Sequence, residues 1–157
     1  MPIDIAYSDP RWKRVSNLAA LIEKAHTLTL TRPNAAKITS LLLANDAEVK
    51  QLNRHWRGKN KPTNVLSFPA ANVKVPHGEM KPLGDIVLSF ETCSKESKTS
   101  GKLMRDHSIH LVVHGLLHLV GYDHENESDA LRMENKEIHI LAKLGFANPY
   151  VLDDDDE

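Results

Sequence analysis

The chain is expected to fold as an α+β single domain, a roughly four-stranded mixed sheet backed by helices with one buried central helix. Three observations predict this. Short β-branched or leucine-rich runs mix with runs of helical period without strict alternation. The segment Ile109 to Val120 is apolar on nearly every side, as a buried helix is. The 157 residues contain no repeat and no linker and suit one domain, large enough to bury a real core.

The elements follow in order. Ile3 to Tyr7 reads as a short strand. Asp9 and Pro10 supply an N-cap and a first-turn proline for a helix of about Arg11 to His26, with Val15, Leu18, Ala19 and Ile22 at three- and four-residue spacing. Pro33 and Asn34 break the chain, and Lys37 to Ala44 is a second strand. Asp46 is expected to cap the next helix, with Val49, Leu52 and Trp56 inward and Gly58 closing it. Arg57 to Pro62 is then a basic loop, and Asn64 to Phe68 a strand stopped by Pro69. Ala70 to Pro82 has no period and reads as a loop; Gly84 to Phe90 is the fourth strand. A short turn or helix around Cys93 leads to the central helix, about Leu103 to Val120, and the last helix runs from about Ser128 to Leu144 and ends at Gly145.

Charge is distributed unevenly. The net charge is −1, but the last five residues, 153–157, are all acidic, and without them the body carries +4. Those five are expected to form a disordered tail. No Asp or Glu occurs from Val49 to Gly78, a stretch that carries Lys50, Arg54, Arg57, Lys59, Lys61 and Lys74. A basic, acid-free region suits a polyanionic substrate. The single cysteine, Cys93, excludes an internal disulfide. No apolar run reaches membrane-spanning length, and the first residues do not read as a signal peptide, so a cytoplasmic location without membrane contact is expected.

The chemistry concentrates in His114-Gly-Leu-Leu-His118-Leu-Val-Gly121-Tyr-Asp-His124. Residues four apart share one helix face, so His114 and His118 stand one turn apart at a spacing that suits a single metal ion. Gly121 can end the helix in a left-handed conformation and let His124 return as a third ligand. Three imidazoles with an open position are the pattern of a catalytic zinc site, although nickel, copper and iron accept the same donors. His110, one turn earlier, is either a support for a ligand or a packed histidine. The spacing matches the long metzincin signature at all positions but one: the general-base Glu of those proteases is Gly115 here.

Together with the upstream run Arg57-Gly-Lys-Asn-Lys-Pro-Thr-Asn-Val-Leu-Ser-Phe-Pro69 and Gly84-Asp-Ile-Val-Leu88, this motif resembles the YbeY family of bacterial metal-dependent endoribonucleases over nearly the whole chain. The segment Cys93 to Lys102 departs from the family's usual run. The resemblance implies a hydrolase domain over residues 1–152 that cuts single-stranded RNA in the cytoplasm. It further implies work in ribosomal RNA processing, at the small-subunit 3′ end, and in ribosome quality control. Ribosomal RNA, and with it the ribosome or ribosomal proteins, are then the partners, without DNA specificity. By position the metal ligands are His114, His118 and His124, holding one Zn2+. Arg57 and His114 are the expected catalytic residues, and Arg57, Lys59, Lys61, Asn64 and Ser67 the expected substrate contacts.

The residues suit that chemistry. A divalent ion on three imidazoles lowers the pKa of bound water from about 15.7 towards 7, which relieves the need for a strong protein base. Guanidinium grips phosphate oxygens with paired donors, the task that fits Arg57. Asp123 is expected either to orient an imidazole or to cap the turn after Gly121. Thr63, Asn64 and Ser67 are either donors to a substrate backbone or ordinary sheet residues. Two rival readings are a metzincin-like zinc peptidase and a non-catalytic ribosome-assembly module that binds RNA with a structural metal. Gly115 opposes the first, since a peptidase needs a proton shuttle. The second requires a fourth protein ligand, for which Cys93 and Asp123 are the nearby candidates.

Overall fold

The computed structural model describes residues 2–71 and 74–150. Four strands form one sheet in the order β1-β2-β4-β3, with β1 (Ile3–Tyr7), β2 (Ile38–Ala44) and β4 (Pro82–Ser89) parallel and β3 (Val65–Pro69) antiparallel to β4 at the edge. The expected four-stranded mixed sheet of an α+β fold is therefore present. Five helices surround it: α1 (Leu18–Thr29), α2 (Asp46–Arg57), α3 (Phe90–Ser100), α4 (Met104–Leu119) and α5 (Glu127–Lys143). The acidic run 153–157 lies outside the described residues.

Alternation along the strands sorts side chains to two layers. Leu41, Leu43, Ile86 and Leu88 enter the larger core with Ile22, Ile109, Val112, Val113, Leu116, Met133 and Ile140 from the helices. Ala44, Leu66 and Val87 face the other way and meet Val49 of α2. α4 runs through the larger core, against α1, α3, α5, β3 and β4, and its Ile109, Val112, Val113 and Leu116 are fully buried. The helix predicted to be buried by its all-round apolarity is so.

Three local expectations are corrected. The first helix is not continuous from Arg11. Asp9 caps it and Pro10 opens it as foreseen, but Pro10–Arg14 is a 3-10 turn, and α1 begins only after Asn17, which stands in the left-handed region at φ 59°. Trp12 explains the break: it is fully buried, donates Nε1–H to Ala44 O at 2.8 Å and packs edge-on against Phe90. That anchor fixes the turn to the end of β2, so the chain must re-aim to lay α1 on α4. Next, the cap of α2 is Asn45, whose side chain accepts from Glu48 N. Asp46 instead accepts from the Ser89 and Thr92 hydroxyls, tying α2 to the start of α3. Finally, Trp56 does not point inward; it is 65% exposed at the end of α2. The region around Cys93 resolves as the eleven-residue α3, closed by Gly101 at φ 70°.

Gly115 sits where α4 crosses the sheet. A Cβ there would stand 3.1–3.4 Å from three carbons of Ile86, itself fully buried. Overpacking a filled core costs ~1–3 kcal/mol. Gly115→Ala is therefore expected to lower the melting temperature by several degrees without changing the far-ultraviolet circular dichroism; an unchanged melt would show that Ile86 can yield.

Candidate metal centre and cleft

The end of α4 builds the centre. The Gly121 and Tyr122 amides donate to His118 O (3.1 Å) and Leu117 O (3.0 Å), and Gly121 has φ 105°. This pair of bonds is the glycine-terminated helix stop foreseen from the sequence. The chain then reverses and Asp123 Oδ1 accepts from His124 N at 2.7 Å, so this carboxylate holds the turn. The reversal delivers His124 to the exposed face of His114 and His118. One ligand nitrogen from each of the three lies within 4.8 Å of the others, the one such group of His, Cys, Asp and Glu among the described residues.

The donor set fits a single divalent ion. His114 Nε2 and His118 Nε2 face each other at 3.1 Å. Two nitrogens on one tetrahedral zinc, each at ~2.0–2.1 Å, stand about 3.3 Å apart, so only a small adjustment separates this pair from ligation. Burial lowers the His118 pKa, and the neighbouring His114 and His124 rings lower it further, which keeps the imidazole neutral as ligation requires. Cys93 is no fourth ligand. Its buried Sγ lies 3.6 Å from Asn64 O, and burial pushes the thiol pKa up.

A residue that the sequence reading passed over completes the centre. Glu137 of α5 is fully buried, and its Oε2 accepts from His114 Nδ1 at 2.6 Å. Its Oε1 accepts from His110 Nε2 at 2.7 Å and from the Tyr150 hydroxyl. Burial alone would raise this carboxyl; the hydrogen bonds from His110, His114 and Tyr150 outweigh it and bring the pKa down to about 2. His110, left between two roles from the sequence, thus touches the carboxylate that supports His114 and is not one of the three clustered rings. Glu137 had one sequence signal: it shares a helix face with Met133, Ile140 and Leu141, an acid on an apolar stripe.

The cluster opens into a cleft of about 540 Å3, walled by Thr63, Asn64, Ser67, Tyr122, Asp123 and Arg57. Its floor is the open edge of β3. Ser89 N donates to Asn64 O and Ala70 N to Leu83 O across the β3–β4 pair. By alternation, the backbone groups of Val65, Ser67 and Pro69 turn away from β4, toward the cleft. Arg57 Nη2 donates to Ser67 O at 2.8 Å on this edge, and the guanidinium lies 5.4 Å from the Phe68 ring. Asn64 reaches the cleft, with its amide also on Glu96 Oε1 at 3.0 Å. Lys59 and Lys61 remain on the exposed turn after α2, outside the lining.

Fold and cleft together define an α+β protein with a three-histidine centre of metal-binding spacing beside a sheet edge. A family model described as Endoribonuclease YbeY matches residues 6–145. Relatives named Endoribonuclease YbeY include one from Chelativorans sp., 46% identical over 94% of this chain and 92% of its own length. Another, from Ruegeria pomeroyi, is 41% identical over 98% of this chain and all of its own. The chain belongs to the YbeY endoribonuclease family. The solution structure of TM1509 from Thermotoga maritima shares the fold, with a TM-score of 0.56 and 21% identity over 95% of this chain and 99% of that one. Among the described residues no helix is long and apolar enough to cross a membrane.

His118→Ala is expected to abolish tight binding of one zinc per chain while leaving the fold, because the side chain contributes little to the core around α4. Chelator competition and thermal melting check this; full-affinity binding by the variant would remove His118 from the ligand set.

Proposed function

We propose that this chain is a metal-dependent endoribonuclease that cuts single-stranded RNA, with His114, His118 and His124 holding one divalent ion, Zn2+ by preference. One observation carries the reading: in a chain of the YbeY family, the three-imidazole cluster opens on the same cleft as Arg57 and the outward edge of β3. A divalent ion there supplies Lewis-acid polarisation of water and of phosphoryl oxygens.

The protein groups supply position. Arg57 spends one donor on Ser67 O, and its remaining N–H groups are available to grip a non-bridging phosphate oxygen pair. Charge builds on those oxygens as the phosphodiester is attacked, so a fixed guanidinium favours the transition state. The Ser67 and Thr63 hydroxyls and the outward amides of Val65 and Ser67 suit a backbone laid along β3. An unpaired strand can follow such an edge, whereas sequence-independent recognition of duplex RNA relies on its minor-groove shape. Lys59 and Lys61, on the turn beyond the cleft, extend the positive potential along the departing strand and act at longer range. We assign the activity to ribosomal RNA processing at the small-subunit 3′ end and to ribosome quality control. The support is family membership together with the basic stretch from Lys50 to Lys74. The same grounds favour the ribosome or ribosomal proteins as partners and the cytoplasm as location.

The test is an RNA with a duplex stem and a single-stranded tail, incubated with wild type or His118→Ala, with and without zinc. Tail cleavage by zinc-loaded wild type alone is expected; equal cutting by both proteins, or by neither, would overturn the proposal. Arg57→Ala is expected to keep zinc and fold but to lose about 10²-fold in cleavage rate, the scale of removing one transition-state donor. Normal turnover in that variant would strike Arg57 from the mechanism.

A further inference from the structure

We propose that Glu137 is a positioning residue: its carboxylate holds His114 in the tautomer that leaves Nε2 bare toward the cleft, and Tyr150 and His110 hold the carboxylate in register. This rests on the reading of His114 as a metal ligand.

The argument is one of proton placement. A neutral imidazole has one N–H and one bare nitrogen. Glu137 Oε1 already accepts from two donors, so its Oε2 is the acceptor at a separation of 2.6 Å and the hydrogen lies on His114 Nδ1. Nε2 is then the lone-pair nitrogen, and it is this atom that faces His118 Nε2 and the cluster. Without an acceptor at Nδ1 nothing fixes the tautomer, and a ring with its hydrogen on Nε2 would point that hydrogen at the ion's place. The carboxylate also adds electron density to the ring and makes it a stronger ligand.

Glu137 is itself held. Its second oxygen receives His110 Nε2–H and the Tyr150 hydroxyl, three donors in all on a group with no exposed surface. None of the three is Lys or Arg. A buried carboxylate without a permanent cation is an expensive structural element, and an apolar side chain would fill the same space more cheaply. The distribution of bonds explains the expense, since two of them hold Oε1 and thereby aim Oε2 at the His114 ring. Tyr150 lies beyond α5, in a segment also fixed by Lys102 Nζ donating to Pro149 O at 3.0 Å. The chain after α5 therefore reaches back to buttress the centre.

Two readouts test this apart from activity. In metal-free wild type, side-chain 15N resonances of His114 are expected to show a protonated Nδ1 and a bare Nε2. A proton on Nε2 would overturn the proposal without any variant being made. Zinc affinity by chelator competition supplies the second readout. Glu137→Gln keeps the volume and one acceptor and is expected to weaken zinc about 10-fold, and Glu137→Ala, which leaves no acceptor, up to about 100-fold with mixed His114 tautomers. Unchanged affinity and tautomer in both would overturn it. Tyr150→Phe, at a partly exposed site, covers the case in which the Glu137 variants do not fold: a few-fold loss of affinity is expected, and no loss would remove Tyr150 from the device. Wild type that binds no zinc would instead overturn the metal reading, so the two failures are distinct.

Discussion

Everything in this molecule depends on one conflict in α4. The helix is apolar enough to be the centre of the core, yet it carries His107, His110, His114 and His118 along one stripe. An imidazole cannot be buried without partners at little cost. The stripe is accordingly lined with acceptors from other elements: Glu96 of α3 meets His107 at 2.8 Å, and Glu137 of α5 meets both His110 and His114. All four rings are half-buried, and those of His114 and His118 face each other and the cleft. The helix therefore runs from rings bound to acceptors of other elements to rings that line the cleft.

The sheet answers the same constraint. Because β3 runs antiparallel at the edge, next to the end of α4, its unpaired backbone groups lie beside the imidazoles and are not covered by a neighbouring strand. Unpaired edges are hazards for aggregation. Here Pro69 ends the strand after five residues and Arg57 occupies the Ser67 carbonyl, which blunts the edge against another chain. The same arginine suits an anionic strand better than a neutral one, so protection and substrate preference arise from one side chain.

What the sequence showed and what it hid divide by the range of the interaction. The histidine spacing, the Gly121 stop and the β-branched runs are local, and each survives into the structure because backbone geometry within a few residues decides it. The break at Asn17 was hidden because Trp12 is anchored to Ala44, more than thirty residues away. The spacing of Trp56 from Val49 and Leu52 fits a helix face, but α2 leaves part of that sheet face uncovered and Trp56 lines the open groove there with Leu42, Phe68 and Val87. Glu137 as the partner of His114, and Tyr150 as the partner of Glu137, were invisible because their meeting depends on how α5 and the chain after it pack on α4. The histidine cluster is a local pattern; its support is a tertiary one.

Gly115 joins these levels. A proton-shuttling carboxylate one residue after the first ligand is what a peptidase of this spacing uses. In this fold that position faces Ile86 inside the core, with no room even for a methyl group at ordinary distances. Among the described residues, the carboxylate that lines the cleft is Asp123, and its Oδ1 holds the His124 turn. A reaction carried out here must do without a dedicated carboxylate base beside His114. Peptide hydrolysis is poorly served, because its amine leaving group needs a proton. Phosphodiester cleavage in RNA is better served, since its demand is to neutralise charge on phosphoryl oxygens and its nucleophile can be the neighbouring 2′-hydroxyl. The packing of one glycine against the sheet thus favours the same class of substrate as Arg57 does.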